Sequence, residues 1–506
     1  MRERRIKIEG VICIYEKFSV TLPSQRLMNR YNSHSMKKLF LLLAVVLMAC
    51  SGVYAKAYKG KCGKKVKWQY ITDTRTLYIM GNGPMDDYGQ YSAKEKKAPW
   101  DNFPELRKVI ICDGVTAVGK NAFRRCANLE RVSFPVEKRC YVDDYAFTEC
   151  PKLDSVVIPS TITSLGTEAF YFCSHLSYLK LTEGLQNISG GCFTGTRIKE
   201  VYLPASLEIY TFPFEYCDSL SWIDVASDNP HYVSVEGRLY SKDTTYLYSV
   251  PNNELGRLQR LKAVQQRWLD VWARIIIQHL EEGEAPNEEM YRNYAQRKNN
   301  IDAYSNTERM FRDDGILVIN GGPLRKIGPN AITGMKGVRH LILKEGIEEL
   351  DGYAIGGGRD LISISFPSTL KTFGLHGSQA LGAGCTRLQQ VFIASREPEQ
   401  LFKFMIRDYE DNSFYIRNCW TLLAPSYGEK DARIYCKWYV PEDVAYRYRQ
   451  HPCWGQLKIE GESSFDKVQN IYWITDDKVK YIIERPKEDL DDPKKCKEIF
   501  QQKDKQ

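Results

Sequence analysis

The side chains able to catalyse a reaction or hold a metal are spread along this chain, not gathered. Past position 55 the histidines are His175, His231, His279, His340, His376 and His451. None belongs to an HExxH motif, and no two stand at the helical spacing that lets a pair of imidazoles share a zinc. No GxSxG elbow presents a serine, and no Walker loop cradles a phosphate. Gly81-Asn82-Gly83 runs into Pro84 instead of a helix N-terminus, so it reads as a turn. Asp86-Asp87, Asp143-Asp144 and Asp313-Asp314 have the composition of an acid–base couple or a calcium site, but equally that of solvated turns, the reading adopted here. No CxxC pair supports a zinc ribbon. The expectation is a non-catalytic chain with no cofactor and no metal. An enzyme would have to assemble its site from segments distant in sequence.

One reactive group does recur. Cysteine closes the phrases Ala122-Phe123-Arg124-Arg125-Cys126, Ala146-Phe147-Thr148-Glu149-Cys150, Ala169-Phe170-Tyr171-Phe172-Cys173 and Phe214-Glu215-Tyr216-Cys217, with Cys192-Phe193 as a shorter version. Recurrence at one position argues for a buried column of small apolar residues over a disulfide framework. Ahead of each plug lies a strand phrase, as in LERVSFP (129–135), LDSVVIP (153–159) and IKEVYLP (198–204). Its lead residues are Leu106, Leu129, Leu153, Leu176, Ile198 and Leu220, spaced 23, 24, 23, 22 and 22. A period of about 20–29 residues marks a leucine-rich solenoid. One coil cannot bury its own apolar edge, but a stack can, because each coil covers the next.

Alternation along each strand then sorts the side chains. Val132 and Phe134, Val156 and Ile158, and Val201 and Leu203 face inward. The intervening residues face solvent, and on three consecutive coils these are Tyr178 and Lys180, Glu200 and Tyr202, and Trp222 and Asp224. Rigid aromatic area with charged neighbours is the usual composition of a recognition patch. These six residues form the candidate ligand-binding set. Aromatics also suit strands for packing alone, so an inserted element lying over them is the competing expectation.

The same residues resemble the BspA-like leucine-rich repeat family of bacterial surface and secreted proteins. The run 114–123 is similar to that family's GVTxIGxxAF phrase, and 228–243 to its NPxYxSxxGxLYxKD coil. CGKKVKW, TLYIMGNGPM and APW within 60–100 resemble its N-terminal cap, and Tyr439-Val440-Pro441 through Tyr446, Tyr448 and Trp454 its closing cap. The resemblance covers roughly 56–250 and 311–461. It implies binding of a host protein or cell surface.

Met36-Lys37-Lys38 opens a cationic stretch, Leu39 to Met48 is unbroken and apolar, and Val53-Tyr54-Ala55 fits a signal-peptidase site. A run of about ten apolar residues is too short to span a bilayer. Residues 36–55 therefore read as a signal peptide and 1–35 as an upstream extension. Leu47-Met48-Ala49-Cys50 also resembles a lipobox, which would anchor Cys50 by a lipid. Nine Lys/Arg against three Glu give residues 1–55 a net +6 of the chain's +8, leaving about +2 beyond them. That removes the electrostatic basis for nucleic-acid binding.

After Pro251 the period changes. Leu258, Leu261, Val264, Trp268, Trp272, Ile275, Ile276 and Leu280 step by threes and fours, the mark of an amphipathic helix. Gly283 and Pro286 break it, and a second helix passes through Met290, Tyr291, Tyr294 and Ile301. Trp268 and Trp272 are expected to hold the hairpin against the repeats. The coils then resume in degenerate form, with Gly356-Gly357-Gly358 in place of a plug.

The fold class is a leucine-rich repeat solenoid, mostly β with short turns and helices, carrying an inserted α-helical hairpin and β-rich caps. Its parts are a leader (1–55), N-terminal cap (56–105), first repeat block (106–251), helical insertion (252–310), second block (311–395), C-terminal cap (396–461), and a β-hairpin with polar tail (462–506). The expected protein is exported to the cell surface, the medium or the periplasm. It recognises or adheres to a macromolecular partner, protein or glycan, without nucleic acid and without a transmembrane span. Two alternatives remain. One is a lipid-anchored accessory glycan-binding protein of an envelope uptake system. The other is an enzyme with its site between insertion and repeats.

Overall fold

The computed structural model describes residues 56–89, 96–209, 212–373, 385, 387–399, 401, 437–450 and 458–462. The leader with Cys50, the hairpin expected after 462, His376 and His451 lie outside them. The described residues form two compact units, one ending at His175 and the other beginning at Leu176. The described residues are mostly strands, with few helices.

The first unit opens on an antiparallel meander, β1 (Ala57–Lys61), β2 (Val66–Ile71) and β3 (Thr76–Gly81), followed by the short β4 (Gly83–Pro84). From there pairing is parallel. β3 pairs with β5 (Lys108–Ile111), β5 with β7 (Arg131–Ser133), and β7 with β9 (Ser155–Ile158). A second ladder joins β4, β6 (Val115–Val118), β8 (Cys140–Val142) and β10 (Ile162–Leu165). Val132, Phe134, Val156 and Ile158 are buried, as period-two alternation requires. The plug rings stack in a column, Phe123 on Phe147 at 5.0 Å and Phe147 on Phe170 at 5.1 Å. Trp100 continues it, stacked on Phe123 at 5.0 Å with its indole N–H donating to the Ala122 carbonyl at 2.7 Å. The plug cysteines are thiols and not disulfides. Cys150 donates to the carbonyl of Phe123 at 3.1 Å and Cys173 to that of Phe147 at 3.2 Å, so each sulfur satisfies a buried carbonyl of the preceding coil.

The second unit begins with β11 (Tyr178–Leu181), β12 (Asn187–Ile188), β13 (Glu200–Leu203) and β14 (Trp222–Val225). β11 lies against β13, and β13 pairs with β14 in parallel register. An antiparallel meander follows, β15 (Tyr232–Val235), β16 (Arg238–Ser241) and β17 (Tyr246–Ser249). The chain then leaves the repeats as α1 (Glu254–Glu281) and α2 (Glu288–Asp314). Asn253 caps α1 by accepting from the Gly256 amide, Asn287 caps α2 by accepting from that of Met290, and Gly315 ends α2 in the left-handed region at φ 69°. Asp313 and Asp314 thus form the last turn of α2, not the solvated turn expected of them, and the helix runs past residue 310.

Beyond the hairpin the coils return in step. β18 (Ile316–Ile319) starts a parallel ladder through β21 (His340–Leu343), β24 (Ser363–Phe366), β26 (Gln390–Ile393), β27 (Lys437–Pro441) and β28 (Lys458–Glu462). β19 (Lys326–Ile327) pairs parallel with β17, the last strand before the insertion, and passes the ladder to β22 (Glu349–Leu350) and β25 (Thr372–Phe373). A short pair, β20 (Ile332–Thr333) with β23 (Ile355–Gly356), takes the plug position. The glycines there answer a neighbour. A Cβ on Gly357, whose φ is +65°, would sit 2.5 Å from the ring of Tyr216.

Candidate functional site

The candidate residues stand on β11, β13 and β14, whose inward side chains Leu179, Leu181, Val201, Leu203 and Ile223 are buried. That anchoring fixes the outward faces. Glu200 lies opposite Trp222, and Tyr202 opposite Asp224. Tyr178 is 54% and Tyr202 50% exposed, and Lys180 and Asp224 are exposed beside them.

The other two candidates are engaged. Arg260, one turn into α1 from its buried root, lays its guanidinium over the Trp222 ring at 4.6 Å and pairs with the Glu200 carboxylate. The underside of the Trp222 ring lies against Gly237, where a Cβ would come within 2.5 Å of it and where φ is +80°. Trp222 is therefore half-buried. The structure divides the six residues. Tyr178, Lys180, Tyr202 and Asp224 present an open surface, while Glu200 and Trp222 seat the insertion.

A second contact roots the hairpin. Glu254, in the first turn of α1, accepts from Arg257 Nε at 2.7 Å, Arg257 Nη2 at 2.6 Å and Arg238 Nη2 at 3.2 Å, all three residues being buried. Arg257 also donates to the carbonyl of Glu236 at 3.1 Å, and the Tyr304 hydroxyl donates to the Glu236 carboxylate at 2.6 Å. Burial alone would raise the Glu254 carboxyl, but Arg257 and Arg238 outweigh it and hold it below the usual carboxylate range. Burial, then the bond to Glu236, pushes the Tyr304 phenol up. At this junction the charges of Glu254, Arg257, Arg238 and Glu236 pair with one another.

The tryptophans of α1 do not play the part expected of them. Leu269, Ala273 and Ile276 form the hairpin's own core with Tyr291, Tyr294 and Ala295, and Trp272 packs against that cluster. Trp268 is 50% exposed, with the Arg297 guanidinium 6.0 Å from its ring. The helix meets the repeats instead through Arg257, Arg260 and Glu254, with Leu258 and Leu261 buried near the same end.

The remaining titratable groups have local roles. His340 Nδ1 lies 2.8 Å from Ser363 Oγ, and burial, then Arg339, lowers its pKa. His279 Nδ1 lies 3.0 Å from the Ile275 carbonyl on its own helix. Asp87 accepts from the Lys120 amide at 2.9 Å and Asp144 from that of Thr167 at 2.8 Å, each bridging one coil to the next. Sequence reasoning missed a related device. Asp113, Glu183 and Glu345 each precede a glycine and each accept two backbone N–H groups from the following coil: Val136 and Glu137, Ala205 and Ser206, Ser368 and Thr369. An acid before glycine, one period ahead of the turn after each strand, is the signal that could have revealed it. Among the described residues no three His, Cys, Asp or Glu side chains gather as a metal site, and no helix is long and apolar enough to cross a membrane.

In comparison with known proteins, the BspA type Leucine rich repeat region matches residues 98–221 and 317–404, in six copies. A leucine-rich repeat protein of Eubacterium ventriosum is 16% identical with a TM-score of 0.41, the match covering 67% of this chain and 73% of that one. A leucine rich cell surface protein of Faecalibacterium prausnitzii is 18% identical with a TM-score of 0.41, covering 84% and 99%. The pneumococcal vaccine antigen PcpA is 14% identical with a TM-score of 0.38, covering 80% and 97%. No curated protein matches the chain.

Proposed function

Because this chain carries BspA-type leucine-rich repeats, we propose that it is an exported, non-catalytic recognition protein. Its coils stack as a solenoid, and the outer face around Tyr178, Lys180, Tyr202 and Asp224 engages a macromolecular partner. One observation carries the reading. Two tyrosines on neighbouring strands are half-exposed, 54% and 50%, on a sheet whose other face is core, so repeat packing does not account for them. Rigid, amphipathic tyrosines are typical anchors of binding surfaces. The export signal before Lys56 and the scatter of catalytic side chains agree with it. Adhesion to a protein surface is the favoured role.

Capture of an array of extracellular-matrix proteins by the full chain tests the reading. Tyr178→Ala with Tyr202→Ala should weaken capture by roughly 30-fold, the equivalent of about 2 kcal/mol for a lost aromatic anchor, and leave the thermal transition unchanged. Undiminished capture would remove the patch from consideration. A second reading rests on the same tyrosines, which are also suited to stacking on sugar rings. In it Cys50 is acylated and the protein serves glycan uptake. Binding to a defined oligosaccharide on a glycan array, with none to matrix proteins, would favour it. Mass spectrometry of the mature N-terminus, read as Lys56 or lipidated Cys50, separates the two modes of export.

A further inference from the structure

Helix α1 carries two apolar seams, and α2 covers only one. Leu269, Ala273 and Ile276, spaced four and three, are buried against Tyr291, Tyr294 and Ala295 of α2. Val264, Trp268, Val271 and Ile275, spaced four, three and four, form the second. At 3.6 residues per turn it lies roughly 140° around the axis from the first. Trp268 on this seam is 50% exposed, and Val264, Val271 and Ile275 are half-buried. Four-three spacing is what a facing helix needs to seat its knobs.

The borders of this second seam are cationic. Arg267 and Arg274, one residue before Trp268 and Ile275, are exposed. The Nε of Arg274 donates to the Asp270 carbonyl on its own helix at 3.2 Å. On the other border Arg297 of α2 lies over Trp268 and donates to Gln265 at 3.2 Å. One acid lies among them: Asp270, one turn from both Arg267 and Arg274, accepts from Gln266 at 2.8 Å. Glu254 is consumed at the root and Glu281 ends the helix, so the three arginines against one aspartate leave the borders net positive. We infer that α1 of the inserted hairpin docks an amphipathic helix of a partner protein, with apolar residues at four-three spacing and acidic residues along both flanks. Val264 to Ile275 spans about 17 Å at 1.5 Å per residue, so the partner segment is roughly a dozen residues long. A second copy of this chain does not fit, because either orientation of α1 against α1 sets arginine borders against each other. The inference stands on α1 alone and goes beyond the reading of the Tyr178 and Tyr202 surface.

The test uses the full chain and a synthetic peptide of about 14 residues, held helical by an i,i+4 lactam because short helices are marginal in water. It carries leucines at four-three spacing with glutamate flanks, and a second peptide has the same leucines with lysine flanks. Fluorescence anisotropy should show the acidic peptide bound about tenfold or more tightly than the basic one. Trp268→Ala should weaken it by a similar factor, Arg267→Glu with Arg274→Glu should reverse the preference, and Tyr178→Ala with Tyr202→Ala should change nothing. These side chains are exposed, so circular dichroism should be unaltered. The inference is overturned if neither peptide binds, if both bind alike, or if the preference survives charge reversal. It is overturned equally if sedimentation shows a dimer that Trp268→Ala dissociates. Binding to phosphatidylcholine–phosphatidylglycerol vesicles that Trp268→Ala abolishes would give the seam to a membrane instead.

Discussion

Replacing Glu254 by glutamine should loosen the hairpin without unravelling the repeats. The carboxylate receives three guanidinium hydrogen bonds, at 2.6, 2.7 and 3.2 Å, from two buried arginines. Glutamine keeps one acceptor and turns an NH2 group toward those N–H donors. Removing one partner of a buried ion pair costs about 3–5 kcal/mol, mostly through the charge left behind. Arg257 retains the Glu236 carbonyl at 3.1 Å and carboxylate at 3.4 Å, which places the cost near the lower end, about 3 kcal/mol. That is roughly a 150-fold rise in opening of the root. Native-state hydrogen exchange read by mass spectrometry should show protection falling by about this factor in peptides covering 254–265 and 300–312, with those from 108–158 unaffected. The pH dependence has a fixed sign. The folded carboxyl is held below its ordinary pKa, so its contribution is present above the unfolded value of about 4.3 and lost as pH falls through the folded one. Wild type and variant should therefore converge in acid. A protection loss under about fivefold at neutral pH would mean that the buried charges are satisfied elsewhere and that this network does not root the hairpin.

Three further outcomes follow from the packing. Phe147→Ala removes a buried ring stacked on both sides and should cost about 3–5 kcal/mol; a shift in urea unfolding worth less than about 2 kcal/mol would show the column to be slack. Gly237→Ala puts a Cβ 2.5 Å from the Trp222 ring at φ +80°, so it should cost more than about 1 kcal/mol of stability, read as a lower thermal transition, and change indole fluorescence; a silent substitution would contradict the seating of Trp222. Burial pushes the Cys140 thiol up to about 12 and Cys217 up to about 11, so iodoacetamide at pH 8 should label neither, nor Cys150, until denaturant is added. Rapid labelling of Cys217 in the native chain, mapped by peptide mass spectrometry, would mean that the plug interior is open.

The repeat was legible because two constraints act on the same residues. The lead residue and the period-two alternation both assign Val132, Val156 and Val201 to the interior, and each is buried. The same alternation exposed Tyr178 and Tyr202. It failed at Trp222 because the element covering that ring enters from residue 260, and no strand pattern contains that information. Arg260 and Glu200 are sixty positions apart, and their pairing depends on where α1 leaves the coils. Glu254 was missed for a related reason. An acid in the first turn of a helix is ordinary dipole chemistry, and only the burial of Arg238 beside it makes the group structural.

The insertion shows how a correct period can yield the wrong face. Leu258, Leu261, Val264, Trp268, Trp272, Ile275, Ile276 and Leu280 satisfy one count of threes and fours, and the helix is there. Yet the buried stripe runs through Leu269, Ala273 and Ile276, whereas Trp268 points to solvent. A helix apolar on two faces offers two seams to a single count. Large residues dominate any such count, and Ala273 weighs little in it. The buried seam includes a small side chain, Ala273, which shares one cluster with the fully buried Tyr294. The heavier seam stays half-buried, with Trp268 50% exposed, and it is this seam that the proposed partner helix would cover.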